Sequence, residues 1–294
     1  MKRIVICPIF CESHFIKYQI PNIIDTINPD IIIYNEGLFP GATESKKDLN
    51  KQWLDKYTLD GKRGFDYLEL EKIIEESQSL YPDVKIILNK MDYSSDMNSI
   101  DCYINATTNF EELGIKIEEG DCIFPFEGDV FHHENSKDEI TGYINQLEPN
   151  QGFKTHWLEF VANQFYVEKK TLLEFHQSRK ICIKFGDMDF YKQVLGNFIT
   201  QNYDMLFPTE LMTYHYAWWR PGKFLDLRCD QLERHPGYWE NFRVAIDMAN
   251  ELKLEEINNR PSVSTSTDNI NVWIKKINIE HPKHIKEHPC YIKL

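Results

Sequence analysis

Glu127 and Asp129 stand two residues apart, with Gly128 between them, directly after the apolar run Cys122-Ile-Phe-Pro-Phe126. In an extended chain, residues i and i+2 face the same way, so both carboxylates point into one space. Two hard oxygen donors on one face suit Mg2+ or Mn2+, which keep positions open for phosphate oxygens. Gly128 lets a ligand approach the backbone. A solvated turn is the ordinary fate of an acidic triplet. Here further ligand-type side chains follow in Val130-Phe-His-His-Glu134 and favour a site. The adjacent histidines 132 and 133 diverge on a strand and lack the i, i+4 spacing of a zinc hydrolase helix.

A second group lies in Phe207-Pro-Thr-Glu-Leu-Met-Thr-Tyr-His-Tyr-Ala-Trp-Trp-Arg-Pro-Gly-Lys223, the densest aromatic run of the chain. Its rings suit stacking on sugars or bases, and Arg220, Lys223 and Arg228 suit a diphosphate. An aromatic strand packed on the core with basic residues at its rim is the competing reading. Imidazole makes His215 a candidate third metal ligand, although a lone histidine in such a strand is more often simply hydrogen-bonded. A transfer to a hydroxyl also needs a general base. Glu210 lies just before the cluster of rings that begins at Tyr214. Asp187 and Asp189 form another acidic triplet that competes for the metal, and Asp189 also fits as the cap of a helix starting at Phe190.

The elements that must position these groups alternate. Apolar runs at 4–10, 31–34, 84–88 and 122–126 read as strands buried on both faces. Helical spacing over 15–27, 66–80 and 99–117 supplies the crossovers, and the polar stretch 39–64 is a long excursion of the kind that covers a ligand or remains mobile. The expected fold class is α/β: a mostly parallel Rossmann-type sheet with helices on both faces, ligands at the carboxyl ends of its strands, and a less regular C-terminal half. That half carries expected strands at 155–167 and 180–185 and helices at 190–198 and 238–254. The tail after 278 is expected to wrap the surface.

Composition bounds the function. The 294 residues carry a formal net charge of -13, which repels nucleic acid and anionic membranes taken as a whole. The seven scattered cysteines include no C-x-x-C pair, consistent with reduced thiols in a cytoplasmic setting. No apolar window approaches the length of a spanning helix. Walker, G-x-G-x-x-G and G-x-S-x-G signatures are absent from the sequence.

The stretch from Cys122 to Glu134 resembles the acidic metal motif of GT-A fold glycosyltransferases, especially family-two-like enzymes of phages and bacteria. The wording also resembles theirs over 210–223, and the order of elements over about residues 1–240. The resemblance implies that Glu127 and Asp129 hold a divalent cation and, through it, the diphosphate of a UDP- or GDP-sugar, with His215 as a further contact. It implies that Pro8, Phe10, Glu36, Asn89 and Lys90 form the nucleotide-facing edge, and Asn105 occupies a place where such enzymes also show a polar residue; Arg220 and Lys223, from their own charge, complete the expected donor-binding set. Glu210 is similar in placement to the catalytic acid. The first motif residue is Glu where the motif has Asp, which leaves a metal-independent site open as an alternative. The expected division is a nucleotide-sugar half over 1–134, an acceptor half over 135–257 and a surface extension over 258–294. The expected activity is sugar transfer to a hydroxyl acceptor, with the charge favouring a glycan over a modified DNA base. A non-catalytic carbohydrate- or nucleotide-binding module and a nucleotidyltransferase are the alternatives.

Overall fold

The order of the strands follows from where the apolar runs can be buried. In a computed structural model, which describes residues 1–38, 51–93, 99–160, 163–168, 178–199, 206–233, 251 and 274–293, β1 (Arg3–Ile9) lies between β2 (Ile31–Glu36) and β4 (Cys122–Pro125), parallel to both. β3 (Lys85–Lys90) continues the sheet beyond β2, also parallel. The crossovers are α1 (Ser13–Ile27), then α2 (Lys51–Tyr57) with α3 (Tyr67–Leu80), then α4 (Ser99–Thr108). The strand–helix alternation of the first half matches the sequence expectation.

Both faces of β1 are covered. Val5, Cys7 and Ile9 pack with Ile16, Ile20, Ile23 and Ile27 of α1 and with Leu70, Ile73 and Ile74 of α3. Ile4 and Ile6 face the other way, toward Tyr103 and Ile104 of α4. This is why the strands read as continuous apolar runs rather than alternating ones. The helix expected over 99–117 stops at Thr108. The hydroxyls of Thr107 and Thr108 bond back to the carbonyls of Tyr103 and Ile104, and Gly114 adopts φ +65. Asn109 turns inward to exchange hydrogen bonds with Asn35.

The second half contains β5 (Val130–His132), α5 (Lys137–Gln146), β6 (Gln151–Glu159), β7 (Tyr166–Glu168), β8 (Ser178–Lys184), α6 (Met188–Ile199), β9 (Phe207–His215), α7 (Lys223–Glu233) and β10 (Ile274–Lys276). The strand expected over 155–167 is thus two strands, and the helix expected over 238–254 lies, apart from residue 251, outside the described residues. The large sheet has the order β3-β2-β1-β4-β8-β6-β9-β5, and β10 pairs separately with β7. Four of its seven pairings are parallel and three, each involving a strand of the second half, are antiparallel. The sheet runs unbroken across the division expected at 134/135.

One connection makes that sheet curl. In a flat sheet, β4 and β5 would be four strand spacings apart, roughly 19 Å. The five residue steps from Pro125 to Val130 reach about 17 Å when fully extended. The link is not fully extended, because the Gln19 side-chain amide donates to the carbonyls of both Glu127 and Val130. The far edge of the sheet therefore bends back over the carboxyl end of β4. The residues after 276 do more than wrap the surface: Ile285 is fully buried among Phe15, Phe131 and Trp219. No helix among the described residues is long and apolar enough to cross a membrane.

Candidate metal centre

The short link between β4 and β5 carries Glu127, Gly128 and Asp129, and the pairing of β5 decides what they meet. Val130 is the register partner of His215, the last residue of β9, and the Tyr216 backbone N–H donates to the Asp129 carbonyl at 3.0 Å. Asp129 is thereby tied to the end of a strand far away in sequence. Its Oδ1 lies 3.2 Å from His215 Nε2, and Glu127 Oε2 lies 3.6 Å from the same nitrogen. One ligand atom from each of the three residues lies within 4.8 Å of the others. Asp129 and His215 are buried and Glu127 is partly exposed, so the cluster opens toward solvent on the Glu127 side. The backbone is crowded at Gly128: a Cβ there would stand 3.1 Å from Glu12 Cβ and 3.2 Å from Ile9 Cγ2.

Charge surrounds the cluster. Arg220 donates from Nη2 to Asp129 Oδ2 at 3.0 Å, from Nη1 to Glu12 Oε2 at 2.6 Å and from Nε to the Ala217 carbonyl at 2.9 Å. On the other side, Glu159 Oε2 lies 3.7 Å from His215 Nδ1, and its Oε1 accepts the Trp218 indole N–H at 2.6 Å. Burial alone would raise the Asp129 carboxyl, but His215 and Arg220 outweigh it and hold the group well below the usual carboxylate range. Burial would likewise lower His215, yet Asp129 and Glu159 outweigh it and raise the imidazole to about 9.

The donor set fits a divalent cation in two respects. Two carboxylates and one imidazole are the ligands that Mn2+ accepts. Glu127, Asp129 and Glu159 set against Arg220 and Arg228 leave one negative charge in excess with His215 neutral, and Glu12, whose carboxyl burial raises to about 7, adds a second when it ionises. A cation taking this place must displace the His215 proton.

The remaining candidates divide by position. Phe10, Glu36, Asn89 and Lys90 lie at or just beyond the carboxyl ends of β1, β2 and β3, the same edge as the cluster. Glu36 is 1% exposed and its Oε1 accepts the Gly64 N–H at 2.7 Å. Burial raises its carboxyl to about 8. Asn89 donates to Asn35, and Lys90 lies over the Tyr67 ring. Pro8 is buried, and Phe10 stacks on Trp53 of α2. Asn105 is half-buried on α4. Arg220 meets carboxylates of the chain rather than standing free, while Lys223 is exposed above the Phe65 ring.

The expected bases are not brought to this edge. Lys184, at the end of β8, pairs with Cys122 at the start of β4, so Asp187 and Asp189 lie beyond the opposite end of the sheet. Asp187 caps α6, accepting the Phe190 N–H and the Asn150 amide, and Asp189 is exposed in the first turn of that helix. They do not compete for the metal. Glu210 is exposed in mid-β9, five residues before His215 and therefore roughly 16 Å away along the strand. The aromatic run is largely core: Tyr216 and Trp219 are fully buried. Glu12 and Glu159 escaped the sequence reading. Their signal is slight, a carboxylate just past the end of an apolar strand in one case and at the end of one in the other.

No family model and no curated protein matches the sequence. Among solved structures, the chain is similar to residues 1–349 of S. aureus TarS, with 9% identity, 88% of this chain and 71% of that one covered, and a TM-score of 0.39. The mannosyltransferase PcManGT from Pyrobaculum calidifontis, solved with GDP-Man and Mn2+, shares 10% identity over 86% of this chain and 72% of that one, with a TM-score of 0.40. A putative glucose-1-phosphate thymidylyltransferase from Bacillus anthracis shares 11% identity over 83% of this chain and 99% of that one, with a TM-score of 0.34. With scores this low, the fold assignment rests on the strand order and crossovers described above.

Proposed function

We propose that the chain is a metal-assisted glycosyltransferase that moves a sugar from a nucleoside-diphosphate sugar to an acceptor hydroxyl. The observation that carries the reading is the convergence of Glu127, Asp129 and His215 at the carboxyl edge of parallel strands, where open α/β sheets bind their ligands. A divalent cation held there supplies positive charge to the departing nucleoside diphosphate. Glu127, the least buried of the three, faces the side from which the donor enters. Asp129 is oriented by Arg220, which takes Oδ2 and leaves Oδ1 toward His215. Asn89 stands at a neighbouring strand end, where the nucleoside of a UDP- or GDP-sugar would lie, whereas the expected Glu36 is buried beneath the 51–66 segment.

Incubation with UDP- and GDP-sugars and Mn2+, with product analysis, tests the reading. The expected product is a nucleoside diphosphate, and Asp129→Asn is expected to lower turnover by at least about 100-fold, since removal of even an outer partner of a metal site costs 10–100-fold. Release of pyrophosphate, or unchanged turnover in the variant, would contradict it.

A further inference from the structure

The metal reading leaves one buried atom unexplained. His215 Nε2 faces Glu127 and Asp129, while His215 Nδ1 is buried with no partner at hydrogen-bond distance. Glu159 lies on that side. It is the register partner of His215 on the adjacent parallel strand, β6 against β9, so backbone pairing fixes the two side chains next to each other. Its Oε2 stands 3.7 Å from Nδ1, and a shift of about half an ångström would bring the two within hydrogen-bond range.

The carboxylate is itself held. Trp218 donates its indole N–H to Oε1 at 2.6 Å, and Trp157, two residues back on β6, donates to Oε2 at 3.3 Å. The Trp157 ring also packs on the imidazole, with centroids 4.0 Å apart, which limits how far His215 can turn. Two aromatic residues thus anchor an acid that also neighbours the histidine. That is an assembly of parts with a direction, running from Trp218 and Trp157 through Glu159 to His215.

We propose that Glu159 is the positioning residue of the metal centre, accepting the Nδ1 proton of His215 so that Nε2 presents its lone pair toward Glu127 and Asp129. A histidine that binds a metal through one nitrogen usually donates from the other to a carboxylate or carbonyl, which fixes both tautomer and ring orientation. The proposal rests on the metal reading above and adds to it the residue that makes His215 a competent ligand. It also gives Trp218 a task other than stacking on a sugar.

Mn2+ titration of the metal-free full chain by calorimetry tests it, with melting in the absence of metal as the check on folding. The wild type is expected to bind Mn2+, and Asp129→Asn to lose detectable binding. Glu159→Gln is expected to bind about 10–100-fold more weakly, because an amide offers one acceptor oxygen where the carboxylate offers two to the N–H groups of Trp157, Trp218 and His215. If Glu159→Gln binds as tightly as the wild type while Asp129→Asn does not, the role of Glu159 is overturned and the metal reading stands. If the wild type binds no Mn2+, or binds it no better than Asp129→Asn, both fall. Should Glu159→Gln fail to fold, 15N spectra of the Mg2+-loaded wild type decide, with the His215 signals assigned by their loss in His215→Gln. A proton on Nδ1 and none on Nε2 supports the proposal, and a proton on Nε2 overturns it.

Discussion

Arg220 shows how far a side chain's task can depart from what its type suggests. A guanidinium in a basic, aromatic stretch reads as a phosphate contact, yet it is enclosed by Glu12 and Asp129, residues 208 and 91 positions away. Removing one partner of a buried ion cluster leaves charge uncompensated, which costs about 3–5 kcal/mol. Arg220→Met is expected to lose stability of that order in urea denaturation. The exposed neighbour Lys223 has no such load, and Lys223→Met is expected to stay within about 0.5 kcal/mol of the wild type. Glu127 and Asp129 were legible as a pair because i and i+2 spacing is local. His215 was legible as a residue type. Glu12, Glu159 and the true setting of Arg220 were not, because each is defined by a partner on a distant strand.

At the scale of elements, the parallel strands were legible because burial on both faces leaves continuous apolar runs, and α4 was overrun because the signals that stop it are threonine hydroxyls and an inward asparagine rather than a Pro or a cap. The segment 51–66 shows something the sequence indicated only in outline. Trp53 and Tyr57 of α2 pack with Phe10, Leu38 and Leu227 over the ends of β1 and β2, and Gly64 places its N–H on Glu36. That cover explains the raised Glu36 carboxyl, and the sign of its linkage is definite. The folded state keeps the proton up to about pH 8, whereas an unfolded glutamate releases it near 4.5. Stability from this group is therefore complete below about 4.5 and is lost as pH rises toward 8, by up to about 1.4 kcal/mol per pH unit. Glu36→Gln mimics the neutral acid. Thermal melting across pH 5–8 should show a flatter decline in this variant, and an unchanged slope would remove the explanation.

Over the whole molecule, the Glu127, Asp129 and His215 cluster forms because the sheet curls, and the C-terminal tail packs on the first helix. The far edge strand β5 packs beside α1, and residues 277–293 close over the same helix, with the Tyr18 hydroxyl donating to the Glu287 carbonyl. The sequence cue for this tail was its polarity, which hid one fully buried isoleucine. Ile285→Ala is expected to cost about 2–5 kcal/mol, measurable by urea denaturation, because it empties a packed space shared with Phe15 and Trp219. A truly superficial tail would lose almost nothing. The central claim, that Glu127, Asp129 and His215 hold one divalent cation, is tested most directly by anomalous diffraction from crystals grown with Mn2+ and a nucleoside diphosphate. The account predicts a single strong peak bounded by the two carboxylates and the imidazole Nε2. A map with no peak there, or with Mn2+ bound only elsewhere, would contradict it.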